Sequence, residues 1–161
     1  MRANQPIAVS GGSRRGFEAH SYPLDPLAAL LPAGNPRHLQ DAARTCDLEC
    51  IGALDRVLVL GAVRRAIEAV LALDALGHRA MIRLVSPRGL RLNSRERIAQ
   101  ATLDRLAALR AAGRLDICAG SVRDAADYGD TFVVDILPHG RTLHSSERYD
   151  WIVNCTERDQ R

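Results

Sequence analysis

Gly61-Ala62-Val63-Arg64-Arg65-Ala66 has the residue types and spacing closest to a phosphate-holding turn. The pattern such a turn needs is G-x-G-x-x-G/A. The first Gly makes the tight turn, the second lets the backbone approach a pyrophosphate, and the third small residue lets helix and strand pack closely. Gly61 and Ala66 fill the first and third positions, and Val63 replaces the second. At that position the two Val methyls are expected to project where phosphates need bare backbone, and a β-branched residue resists the positive φ that Gly supplies. Arg64 and Arg65 could compensate, because guanidinium pairs well with phosphate. Two readings therefore stand side by side. Either the N–H groups of Ala62, Val63, Arg64 and Arg65, with the positive end of the next helix, hold a pyrophosphate, or this is only a tight strand-to-helix turn with solvated arginines.

A second candidate is Ser86-Pro87-Arg88, with no acid nearby. An NAD site places Asp or Glu there for the ribose 2′-hydroxyl, whereas an NADP site places Arg or Ser for the 2′-phosphate. If a dinucleotide binds, Ser86 and Arg88 favour NADP over NAD; the alternative is an ordinary polar loop. Other chemistries have less support. All 22 basic residues are Arg, so a P-loop lysine, a Schiff base and a lysine general base are excluded. Cys46 and Cys50 lie four apart, but His38 and Asp47 beside them have no zinc spacing, and no metal is expected. Cys118 and Cys155 read as small core residues in apolar strands. His20, His38, His78, His139 and His144 are scattered, no G-x-S-x-G elbow occurs, and no residue is nominated as catalytic.

The elements that must position these residues follow from apolar periodicity. Val57 to Leu60 is a continuous apolar run, as in a strand buried on both faces. Arg64 to Leu76 predicts a helix with Ile67, Val70, Leu71 and Leu73 inward and Gly77 as its stop. Ala80 to Val85 reads as a second strand. Ser94 caps a predicted helix reaching Ala112, with Ala99, Leu103 and Leu106 at helical spacing, and Leu115 to Ala119 reads as a third strand. This β-α-β-α-β order favours a parallel sheet with right-handed crossovers. Thr131 to Leu137 and Arg141 to Arg148 flank Pro138-His139-Gly140 as an antiparallel hairpin, and Trp151 to Cys155 is a last apolar strand. The expected fold is α/β: a Rossmann-like three-layer domain with a parallel core and an antiparallel β-meander.

Ahead of it, residues 1–54 hold five of the seven prolines and read as an irregular lead-in. Short helices are expected at Asp25 to Leu31, capped by Asp25 with Pro26 first, and over His38 to Ile51. Residues 55–161 form the Rossmann-like domain. A chain of 161 residues with 47% hydrophobic content buries one core. It has no membrane-length apolar run and no signal peptide, so it reads as cytoplasmic. A net charge of +3 and few aromatics argue against a nucleic-acid partner.

Several segments together resemble the nicotinamide-binding domain of flavoproteins with two dinucleotide domains. They are similar to the FAD/NAD(P)-binding protein family, relatives of the ornithine and other N-hydroxylating monooxygenases. Val57-Leu58-Val59-Leu60-Gly61 resembles the strand into the glycine turn. Gly77-His78-Arg79 and Ser86-Pro87-Arg88-Gly89-Leu90 resemble an R-G-H-R segment and an S-R-R-G-L loop. Arg105 to Leu115 resembles the helix into the third strand, and Asp150-Trp151-Ile152-Val153-Asn154-Cys155-Thr156 a D-x-V-I-N-C-T-G motif. Tyr22 to Pro32 is similar to the lead-in. The departures are Val63, Glu157 in place of a Gly, a shortened segment from Arg91 to Thr102, and no flavin-binding G-x-G-x-x-G near the N-terminus.

The resemblance implies an oxidoreductase-type module that binds NADP (or NAD) and presents the reduced nicotinamide to a flavin. That flavin would sit on another chain or a missing domain, since FAD is not expected on this chain alone. A fragment, a shortened relative or a decaying copy is expected, inactive by itself. The alternative is a degenerate Rossmann-shaped scaffold that binds no nucleotide and acts through protein contacts.

Overall fold

Val57 to Leu60 is apolar at every position because both faces of its strand are covered. A computed structural model describes residues 30–31, 34–40, 45–90 and 98–156. The helix expected at Asp25 to Leu31, the Ser94 cap and Glu157 fall outside them or reach them only at an end.

The elements are β1 (His38–Gln40), α1 (Thr45–Leu48), β2 (Val57–Gly61), α2 (Val63–Ala75), β3 (Ile82–Ser86), α3 (Gln100–Ala111), β4 (Leu115–Asp127), β5 (Phe132–Pro138), β6 (Ser145–Tyr149) and β7 (Trp151–Cys155). They build one seven-stranded sheet in the order β1-β7-β2-β3-β4-β5-β6. Pairing is parallel from β1 to β4 and antiparallel from β4 to β6. The α/β, Rossmann-like expectation with its added meander is met.

Side chains alternate between two cores, as strand pleating requires. Val57, Val59, Ile82, Leu84, Trp151 and Val153 meet α2 and α3 residues such as Ile67, Val70, Leu106 and Leu109. Leu58, Leu60, Val85 and Ile152 meet Val122, Phe132, Val134, Ile136 and Tyr149 of the meander. The three layers are thus helices, parallel sheet and meander. β4 joins the last two: Leu115 to Ala119 pairs with β3, and Gly120 to Asp127 pairs with β5, with a register shift between Val122 and Asp124. Gly120 permits the crossing, since a Cβ there would stand 2.6 Å from the Leu137 carbonyl oxygen.

Two expectations are corrected. The helix read over His38 to Ile51 is instead the short strand β1 and the single turn α1. Its first residues are drawn into the sheet by parallel pairing, His38 with Ile152 and Gln40 with Asn154, so tertiary pairing overrides local preference. In α3 the buried pair is Leu106 and Leu109, because Ala99 is the exposed N-cap, outside the inward face. α2 keeps Ile67, Val70 and Leu73 inward, while Leu71 is half-buried. Gly77 ends it at φ +84°, with N–H bonds from Gly77 to Asp74 and from His78 to Leu73 closing the last turn.

Candidate functional site

The carboxyl ends of β7, β2 and β3 lie side by side, with Ala119 midway along β4 next to the end of β3, and this is where open parallel sheets bind ligands. Gly61 ends β2 at φ +126°, and a Cβ on it would stand 2.6 Å from the Cys155 carbonyl oxygen. Its glycine requirement therefore comes from strand β7, through both conformation and close approach. β7 is closed by Asn154, whose buried side-chain Oδ1 accepts from the Thr156 N–H (3.0 Å) and the Thr156 hydroxyl (2.7 Å). This Asx turn fixes the backbone that Gly61 leans on.

α2 opens on Ala62 as N-cap, with no side-chain cap bond. The intrahelical ladder begins with the Ala66 N–H donating to the Ala62 carbonyl at 3.0 Å, so the N–H groups of Val63, Arg64 and Arg65 precede it. Ala62 is different. Its N–H donates to the Cys155 carbonyl at 3.4 Å, so the strand β7 backbone shares the first donor of the turn. Val63 is corrected as well. It is the first helical residue and packs in the core with Ala66 and Ile67, so its methyls are directed inward rather than toward a ligand. Arg64 is exposed and pairs with Glu68 one turn along at 3.2 Å, and Arg65 is exposed beside it. Ala66, fully buried, gives the close helix-to-strand packing that the third small position requires.

Ser86 ends β3 next to Gly61, because Leu60 pairs with Val85. Its hydroxyl is buried and faces the Arg88 N–H at 3.5 Å, while its carbonyl accepts the Gly89 N–H at 3.1 Å. Gly89, at φ +61°, closes the turn against Ala119 of β4. Arg88 stands exposed at the tip. The fold thus brings both predicted segments, Gly61 to Arg65 and Ser86 with Arg88, to one edge of the sheet.

Similar folds occur among solved structures of flavin- and nicotinamide-dependent oxidoreductases. The ornithine hydroxylase PvdA of Pseudomonas aeruginosa superposes with a TM-score of 0.65 at 14% identity, covering 81% of this chain and 41% of that one. The ornithine N-hydroxylase KtzI of a Kutzneria species, described with reduced FAD and NADP+, gives 0.62 at 15% identity, covering 79% and 42%. The lysine monooxygenase NbtG of Nocardia farcinica, described for its NADPH domain, gives 0.55 at 18% identity, covering 79% and 37%. The shared property is the fold. The chain spans about two fifths of the length of these neighbours. No protein-family model matches the sequence, and no curated protein matches it.

The opposite, amino edge is a structural network. Asp74 on α2 accepts from Arg105 of α3 at 2.7 Å and from Arg114 at 2.9 Å, and Arg114 also donates to the His78 carbonyl. Burial alone would raise the Asp74 carboxyl, but the two arginines outweigh it and hold it below the usual range. His78 is buried, its Nε2–H donating to the Asp55 carbonyl at 2.8 Å while Nδ1 has no partner. Burial pushes its imidazole down, the Asp55 bond opposes, and the nearby Arg114 adds to the fall. Arg83 bridges Asp116 (2.8 Å) and Glu147 (3.2 Å), tying β3 to the meander, and the Tyr149 hydroxyl donates to Glu147 at 2.8 Å.

No group of three or more His, Cys, Asp or Glu among the described residues could hold a metal ion. No helix among them is long and apolar enough to cross a membrane. Sequence reasoning missed Asn154 and Thr156 as supports of the turn. The Asn-x-Thr spacing at a strand end was the available signal.

Proposed function

We propose that the chain is a nicotinamide-dinucleotide module with NADP(H) as its ligand. The carrying observation is the uncapped start of α2, directly after the Gly61 turn and beside the Ser86–Gly89 turn, at the carboxyl edge of a parallel sheet. N–H groups of Val63, Arg64 and Arg65 would face the pyrophosphate, helped by the positive end of the helix. Because the Val63 side chain packs inward, it leaves that approach uncovered. Ser86 and Arg88 are the residues for the adenosine ribose and its 2′-phosphate.

A bound reduced nicotinamide supplies hydride to a flavin carried on another chain or segment. This chain's own part is to bind and orient the cofactor. The shared fold of the NADPH-domain neighbours supports this reading.

Calorimetric titration tests it. NADPH should bind more tightly than NADH and should raise the melting temperature. No heat and no stabilisation at millimolar NADPH would overturn it. One observation favours the alternative of a scaffold that binds no nucleotide: Cys155 already occupies the Ala62 N–H, which leaves one donor fewer. Under that reading neither cofactor shifts the melt.

A further inference from the structure

Between α2 and β3, residues 76–81 form a turn in which His78 alone is buried. Its ring joins that turn to the loop at 52–55. One ring nitrogen, Nε2, lies 2.8 Å from the Asp55 carbonyl. A carbonyl only accepts, so the proton of the neutral ring is on Nε2 and Nδ1 holds a lone pair. Nδ1 is buried with no hydrogen-bond partner among the described residues. The same two segments are joined by the Arg79 and Ala80 N–H groups, which donate to the Ala53 carbonyl at 2.7 and 3.1 Å. Asp55 carries the contact onward to β7: its Oδ2 accepts from the Trp151 indole N–H at 2.8 Å and from the Gly52 N–H at 2.8 Å.

A proton taken up at Nδ1 creates a second N–H with no acceptor, and a full charge, inside a closed site. The charged groups around it do not compensate. Arg114, from the segment before β4, donates to the His78 carbonyl and repels an imidazolium. Asp55 attracts one, but its Oδ2 is already shared by Trp151 and Gly52. Asp74 of α2 is engaged by Arg114 and by Arg105 of α3, and Arg79 next in the chain is exposed. The ring therefore charges by leaving. Its departure is local, because Gly52, Ala53 and Leu54 are exposed and the loop can part from the turn without uncovering either core.

We infer that His78 is a proton-operated latch: one proton on its ring parts the turn at 76–81 from the loop at 52–55 and draws Asp55 away from the Trp151 indole, while the seven-stranded sheet stays folded. The latch lies at the amino edge, opposite Gly61 and Ser86, so it stands whether or not the chain binds NADP(H).

Trp151 is the single tryptophan of the chain, so its emission reads the latch directly. Emission and far-ultraviolet circular dichroism are followed together from about pH 8 to about pH 5, above the ordinary carboxylate range. Expected is a one-proton change in emission with unchanged dichroism. It should be absent from His78→Gln, whose amide can still donate to the Asp55 carbonyl but takes up no proton. Emission and dichroism moving together, no change in emission, or a transition that survives in His78→Gln would overturn the inference. If the variant folds poorly, amide exchange on the parent chain decides. Below the midpoint, protection of the Arg79 and Ala80 N–H groups, corrected for intrinsic rates, should fall roughly tenfold per pH unit, as one coupled proton requires, while Val59 in β2 stays protected. Arg79 and Ala80 amides that remain protected throughout would overturn it as well.

Discussion

Gly61 lies against the backbone of Cys155 so closely that a Cβ on it would stand 2.6 Å from the Cys155 carbonyl oxygen. The phosphate-type turn is therefore shaped first by the neighbouring strand. Gly61→Ala should destabilise the chain by about 3 kcal/mol, combining a steric clash with backbone at positive φ. Chemical denaturation measures this. A loss under about 1 kcal/mol would mean that β7 yields easily.

Val63→Gly gives a different outcome from the one its motif position suggests. A Val that shielded phosphates would, on removal, let affinity rise. Val63 instead packs in the helical core. The variant should lose about 2 kcal/mol from the emptied volume and gain no NADPH affinity. Paired melting and titration experiments read both quantities.

Asp74 anchors α2 to α3 and to the segment before β4. Asp74→Ala should cost about 2 kcal/mol, because it removes bonds to two guanidinium groups and takes the carboxylate from half-buried Arg114. The carboxyl is held below its ordinary value of 3.8. Its contribution is thus fully present above that value and is lost as pH falls through the folded value. Denaturation in mild acid, with and without the substitution, checks the sign: the difference between the two proteins should shrink below about pH 4.

His78 acts in a higher window. Burial holds the folded imidazole's affinity for a proton below that of the unfolded chain, which takes one up near the ordinary value of 6.5. The unfolded state then binds more protons, and stability falls as pH drops from there. His78→Gln should be less stable at neutral pH yet show a flatter profile between about pH 7 and about pH 5. A parallel decline in both proteins would assign the acid sensitivity to other groups.

The parts of the fold legible in the sequence are those where residue type and burial coincide. Val57 to Leu60 and Trp151 to Val153 are apolar because both faces are covered, and Gly77 stops α2 because its φ is positive. β1 was not legible, since three residues carry no periodicity and only β7 makes them a strand. The second half of β4 was missed because Arg123, Asp124 and Ala126 face solvent. At the candidate site the motif gave the positions of Gly61 and Ser86 but not the direction of Val63. A side chain at a helix start can face core or solvent, and only packing decides. His139 read as a turn residue, because its neighbour Ala119 is twenty residues earlier in the chain.

β4 serves two ladders of the one sheet, parallel to β3 in its first half and antiparallel to β5 in its second. A continuous backbone under two hydrogen-bond ladders works as a mechanical tie. Tension on the meander is delivered along this one strand to the parallel sheet. Trp151, packed on the helical side, and Tyr149, packed on the meander side, are two residues apart and report on opposite layers. Their fluorescence and absorbance should change at one shared midpoint on heating, marking a single cooperative unit.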